Sequence, residues 1–339
     1  MDCKDEPIQP CTDCPEPVDT TKPPVVDTTI QNFTFETLEF GDGFESSEFN
    51  DVWVFDENNI LAVGYISDSL FGKKNIMHWN GSTWNPLGRQ FNSAGIYGVW
   101  AKDTSEIYYA SGVVLQYKNG EYVWVDFSEM DFSGNRAVTK LWGSGNQNVY
   151  GVGPWGTIVH YDGNKWTQIE FDRQWYFYGI TGNKETGAAY AMARNMNHVT
   201  TIIELKNLSA SIIYQSTEGD NNSPGSWTIN YIGNNELTLA DYRVWNFNTN
   251  NHTIKIRNNL SLGVGILTMT SLTENDVYFF GSQSGGIGKF IHFNGKRFKE
   301  FDIPLVGDNY GGSSCQKDIA VYARFSSNKA VLTMVRRKY

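Results

Sequence analysis

The 339-residue sequence lacks the features that membrane-spanning and nucleic-acid-binding proteins need. No apolar run reaches the roughly 18 residues that a helix needs to cross a bilayer. Lys and Arg total 27 against 37 acidic residues, so the net charge is −10 and no basic stripe is present for phosphate groups. The one basic run, Arg336-Arg337-Lys338, closes the chain, and we interpret it as a solvated end. No nucleic-acid partner is expected.

Motifs of common catalytic centres are also missing. The sequence has no Gly-x-Ser-x-Gly elbow, no phosphate-binding loop followed by a helix and no Asp-x-Asp pair. Paired carboxylates for glycoside chemistry could still converge from distant parts of the chain, but no pair stands out. We therefore predict no catalytic residues, no metal site and no cofactor.

What the sequence has is aromatic residues at 14%, 33 glycines and an internal repeat, a combination typical of all-β proteins with many tight turns. The repeat combines a Val/Leu-Trp pair, a Val-Tyr-x-Val-Gly run, a His-aromatic pair, an Asn/Asp-Gly turn and a further aromatic residue. Its clearest copy runs from Lys140 to Trp166. The pattern of each copy predicts four strands.

The spacing of the copies counts the blades. Trp53, Trp100 and Trp142 lie 47 and 42 residues apart, and the equivalent Thr270 follows 128 residues later, which leaves room for two weaker copies between. A seventh copy near the C-terminus lacks its last strand, whereas residues 32–40 resemble such a strand. We predict an all-β fold: a single β-propeller over residues 31–339 with seven four-stranded blades, six or eight being near alternatives. A strand from the N-terminus closes the ring.

The turn between the third and fourth strands carries the most regular signal. An Asn-Gly or Asp-Gly pair takes positive φ at both positions, so we expect type I′ hairpins. The predicted structural turn residues are Asn80, Gly81, Asn119, Gly120, Asp162, Gly163, Asn294 and Gly295. The same repeat position, just before these turns, is occupied by His78, His160 and His292. Because the three histidines belong to different blades and lie too far apart to share a metal, we expect each to make a hydrogen bond within its own blade.

Residues 1–30 differ in composition from the rest. Six of the ten prolines lie there among Asp and Thr, which predicts a disordered tether. Cys11 and Cys14 could form a local disulfide or have no role, and Cys315 stands alone in the propeller as a small core or loop residue.

The segment Cys3-Lys4-Asp5-Glu6 resembles the start of a mature bacterial lipoprotein, whose first Cys is diacylated. The resemblance implies lipid attachment at Cys3, peripheral membrane attachment through that lipid only, and a place on the extracellular face of a bacterial outer membrane. Met1-Asp2 would then be an artificial or misplaced start. A disordered acidic tail with an incidental Cys is the alternative.

Residues 32–339 resemble bacterial surface lipoproteins with a repeat-built propeller. Some of those relatives carry a glucosyltransferase label, which the missing Asp-x-Asp pair does not support. The hairpins also look like the Asp-box of sialidases and the repeats of photosystem-assembly propellers. Their shared positions are turn and core positions, so no functional residue is carried over.

One stretch that breaks the repeat is the candidate ligand site. Arg173, Trp175, Tyr176 and Phe177 stand where the fourth blade begins, and exposed aromatic rings with an Arg can bind a sugar or a protein. Alternatively, alternate members enter the core. We expect a non-enzymatic binding or scaffold module for a protein or glycan on the cell surface. The alternative is a carbohydrate-active lyase or hydrolase with acidic residues near the central channel.

Overall fold

The computed structural model describes residues 30–42, 45–88, 90–91, 95–220, 223–225, 227–258, 264–283, 287–304 and 311–339. Over these residues every regular element is a strand, and the strands form seven four-stranded antiparallel sheets. The prediction of a seven-bladed β-propeller is confirmed. No helix in the described part of the chain is long and apolar enough to cross a membrane. Cys3, Cys11, Cys14 and residues 1–29 of the predicted tether lie outside the described residues.

The blades follow one another along the chain. Blade 1 contains β2 (Glu48–Asp56), β3 (Asn59–Asp68), β4 (Gly72–Trp79) and β5 (Trp84–Pro86). Blade 2 contains β6 (Gly98–Asp103), β7 (Glu106–Ser111), β8 (Val113–Lys118) and β9 (Glu121–Trp124). Blade 3 contains β10 (Lys140–Gly145), β11 (Asn148–Gly153), β12 (Thr157–Tyr161) and β13 (Trp166–Gln168). Blade 4 contains β14 (Tyr176–Gly182), β15 (Ala189–Arg194), β16 (Thr200–Lys206) and β17 (Ser209–Gln215).

The second half of the ring repeats the same order. Blade 5 contains β18 (Thr228–Gly233), β19 (Glu236–Ala240), β20 (Val244–Asn248) and β21 (Thr253–Asn258). Blade 6 contains β22 (Val264–Thr273), β23 (Asp276–Gln283), β24 (Ile287–Phe293) and β25 (Phe298–Ile303). Blade 7 combines β26 (Ser313–Gln316), β27 (Ile319–Ser326) and β28 (Lys329–Arg337) with β1 (Phe33–Phe40).

Blade 7 closes the ring with strands from both ends of the chain. β1 pairs antiparallel with β28 in a register that runs from Phe33 opposite Arg337 to Phe40 opposite Ala330. The predicted closure by an N-terminal strand is therefore confirmed. Without β1, β28 would expose a row of unpaired backbone groups at the edge of the blade.

Burial explains why the middle strands are nearly continuous apolar runs. Each blade is covered on both faces by its neighbours, as parallel sheets are by helices, so β7 and β12 are buried along their whole length. The outermost strands β9 and β17 are mostly exposed or half-buried. The buried residues fall into seven hydrophobic clusters, one at each contact between adjacent blades.

The Trp of the innermost strands fills the space to the next blade. A Cβ added to Gly182 of blade 4 would lie 2.5 Å from the Trp142 ring of blade 3, and one on Gly143 would lie 2.7 Å from Trp100 of blade 2. The missing side chain at Gly182 is therefore what admits the indole.

The predicted turns differ in type. Asn119 and Gly120 have φ values of 53° and 88°, as a type I′ turn requires. The turns at Asn80-Gly81, Asp162-Gly163 and Asn294-Gly295 have positive φ at the glycine only. This corrects the type I′ expectation for these three. They are four-residue loops, in which the Asn or Asp Oδ1 accepts bonds from the backbone N–H groups two and three residues later.

The shared histidine slot makes the expected bond within each blade. The Nε2 atoms of His78, His160 and His292 lie 2.7–2.8 Å from the Oδ1 atoms of the residues that begin the second strands, which are Asn59, Asn148 and Asp276.

The basic run at the C-terminus is not a solvated end throughout. The Arg337 side chain is 6% exposed and donates to both carboxylate oxygens of Asp276, at 2.8 and 3.0 Å. Arg337 is therefore buried in an ion pair with Asp276. This corrects the interpretation of the basic run as a solvated end.

Candidate functional site

The seven innermost strands surround a central channel with a volume of about 1250 Å³. We call the upper face the end at which these strands begin. Because the strands of a blade are antiparallel, the loops between second and third strands lie on this same face. Residues at the beginnings of the innermost strands and in those loops therefore form the upper mouth of the channel.

Side chains connect the innermost strands, which belong to different sheets and share no backbone ladder. Hydrogen bonds of 2.8–3.4 Å join Thr181 to Asn230, Asn230 to Ser271, Thr268 to Ser313, Val54 N to Ser314, and Val99 N to Asp51. The hydroxyl and amide groups of the wall thus bind one another. These bonds join five of the seven pairs of adjacent blades.

Asp51 shows the same use of a channel carboxylate. Its Oδ1 accepts from its neighbour Val52 N at 2.9 Å, and its Oδ2 accepts from Val99 N of blade 2 at 3.2 Å. Burial raises the pKa of this carboxyl above its ordinary value, while the charge of Lys140 and the two backbone bonds oppose that shift. Both oxygens are hydrogen-bonded, and Oδ2 joins blade 1 to blade 2.

The upper mouth carries an aromatic strip, which we define as Trp155, Tyr176, Tyr178 and Trp227. The Trp155 and Tyr176 rings lie 5.1 Å apart, and the Tyr178 and Trp227 rings meet edge to face at 4.9 Å. Arg194 links the two pairs, because it is opposite Tyr176 in the sheet and its guanidinium carbon lies 4.9 Å from the Trp227 ring. The strip thus consists of one ring pair between blades 3 and 4 and one between blades 4 and 5.

Local structure places these side chains. A bulge between Phe177 and Gly179 takes Tyr178 out of the ladder, and this ring is 37% exposed and lines the channel. Trp155 lies in the loop between β11 and β12 at a φ of 58°. In the corresponding loops of blades 4 and 5, Met196 and Tyr242 are 80% and 67% exposed. The upper mouth therefore presents large apolar and aromatic side chains to solvent.

The four predicted ligand residues fall into different places. Tyr176 belongs to the strip. Arg173 is exposed and pairs with Asp131 of the blade 2–3 connection. Trp175 and Phe177 are 3% and 4% exposed, and their rings pack in the hydrophobic cluster between blades 3 and 4. Their alternation with Tyr176 and Tyr178 is that of an innermost strand.

The sequence reasoning missed Trp155, Tyr178, Trp227 and Arg194. Tyr178 and Trp227 stand at the starts of innermost strands in two successive blades, and Trp155 and Arg194 at the ends of second strands or in the loops after them. Searching all blades for aromatic residues at these two positions would have found the rings. Their convergence on one arginine depends on side-chain geometry.

We next consider the groups near the strip, in the described part of the chain, that could act in catalysis. Over the described ranges, no three His, Cys, Asp or Glu side chains are placed to hold a metal ion. The described channel lining contains no His, and its charged residues Asp51, Lys140, Lys184, Glu185 and Glu274 come from separate blades or from the far ends of the strands. Burial raises the pKa of the Cys315 thiol to about 12, so this lining residue is not a thiolate nucleophile near neutral pH.

Comparison with known proteins gives the fold. No family model and no curated protein matches the chain. Among solved structures, YCF48 bound to D1 peptide is similar with a TM-score of 0.65 and 12% identity, over 90% of this chain and 97% of that one. A catalytically inactive virginiamycin B lyase from Staphylococcus aureus, with quinupristin, has a TM-score of 0.66 and 12% identity over 90% and 100%. A chain of the mitotic checkpoint complex has 0.64 and 15%, over 100% of both chains. At these identities the likeness shows a propeller.

Proposed function

We propose that this propeller is a non-enzymatic binding module that takes a partner at the upper mouth of its channel. The observation that carries the proposal is the aromatic strip with Arg194 at its centre. Trp, Tyr and Arg are the residues that most often dominate binding energy at interfaces, and here they stand together on one face. Several polar groups of the channel wall are engaged in hydrogen bonds between blades, which favours recognition at the mouth.

A protein partner fits the mouth better than a glycan. The exposed side chains Met196 and Tyr242 widen the strip with the residue types enriched in protein interfaces. Two of the similar propellers were solved with a peptide or within a protein complex, and this use of the fold supports the same class of partner here. A glycan remains the second ligand class that rings of this kind bind.

We further propose that the module is held on the outer face of a bacterial outer membrane through a lipid on Cys3 and the tether of residues 1–30. The support is the Cys3-Lys4-Asp5-Glu6 segment and the Pro-rich composition of the tether. Labelling with a radioactive fatty acid, in cells that express the chain behind a lipoprotein signal peptide, tests this. Label that survives Cys3→Ser would exclude attachment at that residue.

The binding proposal is tested with a displayed library of short random peptides and a glycan array, both probed with the full chain. Trp227→Ala should weaken peptide binding by about tenfold or more, as loss of an interface anchor does. The matched control is Trp124→Ala, which removes an exposed indole from the outermost strand of blade 2. Thermal unfolding of both variants checks that the blades remain folded.

The outcomes separate the candidate functions. Peptide binding that depends on Trp227 and not on Trp124 supports the proposal. Binding of glycans alone would replace the protein partner by a carbohydrate. Cleavage of a bound glycan would overturn the non-enzymatic function and favour the carbohydrate-active enzyme.

A further inference from the structure

We infer that Arg194 is the anion anchor of the upper mouth, and that the partner presents a carboxylate beside an aromatic or aliphatic side chain. The inference rests on the proposed function and adds the chemistry of the partner. Arg194 ends β15 and lies in the middle of the aromatic strip, with its guanidinium over Trp227.

The charge of Arg194 is not balanced within the described part of the chain. Arg136, Arg173, Arg243, Arg336 and Arg337 each have a carboxylate oxygen within 4.0 Å. Among the described residues Arg194 has no carboxylate oxygen within 4.0 Å, and its Nη1 donates to the carbonyl oxygen of Gly225, at 3.4 Å. Its buried Nε has no hydrogen-bond partner among the described residues. Within the described structure this guanidinium at the mouth therefore has no counter-charge, unlike those five arginines.

Asp241 is the carboxylate that Gly225 links to Arg194, and it already accepts other hydrogen bonds. Asp241 accepts from Gly225 N at 2.8 Å through Oδ2 and from Arg243 N at 2.7 Å through Oδ1. Arg243 lies 3.9 Å from the same carboxylate. Asp241 thus orders the backbone that Arg194 contacts, and its own oxygens are engaged with Gly225 and Arg243.

The guanidinium suits a carboxylate ligand. Stacking on an indole restrains the planar group and leaves donors along its edge, and a carboxylate can accept two of them side by side. The Tyr178 ring also contacts Trp227, so a residue next to the carboxylate would meet an aromatic surface. An acidic residue adjoining an apolar one therefore matches the mouth.

The test uses the full chain and a displayed library of short random peptides. Peptides selected on the wild type should be enriched in Asp or Glu next to an apolar residue, and those selected on Arg194→Met should not. For one enriched peptide, Arg194→Met and the peptide's own Asp→Asn or Glu→Gln change should each weaken binding about tenfold or more. The two changes together should cost little more than one alone, because they remove the same contact.

The matched control is Arg257→Met. Arg257 also covers an aromatic ring, with its guanidinium 4.2 Å from Phe293, and it also has no carboxylate within 4.0 Å in the described structure. It lies on β21, the outermost strand of blade 5, away from the upper mouth. Its substitution should leave peptide affinity unchanged.

Each result has one meaning. Peptides that need Trp227 but show no acid preference and no loss with Arg194→Met would overturn the anion anchor and leave the proposed function standing. Peptides that bind independently of both Trp227 and Arg194, or no peptide binding at all, would overturn the proposed function together with this inference.

Discussion

Blades 3 and 6 carry the same repeat but meet their following blades through different chemistry. In blade 3, Asn148 holds His160 through Oδ1 at 2.7 Å, and its Nδ2 donates to the carbonyl oxygen of Gly187 in blade 4 at 2.8 Å. The amide thus joins its own blade to the next one. Every group in this contact is neutral or a backbone amide.

In blade 6 the equivalent residue is an acid. Asp276 holds His292 through the same geometry, at 2.7 Å, and accepts from the guanidinium of Arg337 in blade 7. The hydroxyl oxygen of Tyr278 also accepts a hydrogen bond from this guanidinium, at 2.5 Å. The side chain that begins the second strand therefore matches its partner in the next blade. An amide donates to a backbone carbonyl between blades 3 and 4, and a carboxylate accepts from a guanidinium between blades 6 and 7.

The innermost strands show a second difference at the same two contacts. Trp142 of blade 3 packs on Gly182 of blade 4, whereas Thr270 of blade 6 bonds the thiol of Cys315 in blade 7 at 3.3 Å. The contact between blades 6 and 7 involves the blade in which the two ends of the chain pair as β1 and β28. On the innermost strands this contact is a polar bond, while the corresponding contact between blades 3 and 4 is the packing of an indole on a glycine.

Arg337→Met should have the largest effect on stability. It leaves the Asp276 carboxylate buried without its cation, which costs about 3–5 kcal/mol when one partner of a buried ion pair is removed. Urea unfolding followed by circular dichroism measures the loss. A loss below about 1 kcal/mol, the range of exposed ion pairs, would show that the pair acts like one at the surface.

The double variant Asp276→Asn/Arg337→Met tests the comparison itself. It gives blade 6 the Asn–His pair that blade 3 already has, so no buried charge is left without a partner. We expect it to recover much of the stability lost by Arg337→Met. No recovery would mean that Arg337 acts through its packing on Phe33 and Tyr278 rather than through its charge.

Gly182→Ala should have the next largest effect, at the packing of the Trp142 indole on this glycine. The new Cβ would lie 2.5 Å both from the Trp142 ring and from the carbonyl oxygen of Ala188, and such overpacking costs about 1–3 kcal/mol. Gly145→Ala in blade 3 is the control, because its Cβ would meet nothing within 4 Å. Equal stabilities of the two variants in urea would show that the indole can move aside.

The ring could be predicted from the sequence because its signals are local and repeated. Val-Tyr-x-Val-Gly runs mark second strands that are buried on both faces, and the similarity of residues 32–40 to a fourth strand identified the closing strand. The histidine slot could be assigned for the same reason. Each of these features needs only a period and a strand pattern.

The candidate site and the Asp276–Arg337 contact between blades 6 and 7 depend on residue pairs that are distant in sequence. Tyr178 and Trp227 meet because one bulge and one inter-blade loop bring their rings together. Arg337 is sixty-one positions from Asp276, and a basic run at a chain end gives no sign of that partner. Three turns differ from expectation because loop length, rather than the Asn/Asp-Gly pair alone, sets the turn type.

The smallest expected effect is a dependence of stability on pH through the buried histidines. Burial lowers the pKa of His160 and of His292 below the ordinary value of 6.5, so both are neutral in the folded protein where the unfolded chain already binds protons. Because the unfolded state then holds more protons, the free energy of unfolding should fall as pH decreases through 6.5. Unfolding in urea at several pH values above about 5.5, where ordinary carboxylates stay ionised, measures this slope.

Single variants assign the slope to the two blades. His160→Gln and His292→Gln should each make the fall in stability with decreasing pH shallower, because each removes one group that only the unfolded chain protonates. His252→Asn is the control, since His252 is exposed in a turn with a φ of 57°, a conformation that Asn adopts readily. A slope that His292→Gln leaves unchanged would mean that His292 has the same pKa in the folded and unfolded states, whereas a steeper slope would mean that Asp276 keeps His292 protonated in the folded state. In that last case the ion pair between Asp276 and Arg337 would include His292 as a second cation.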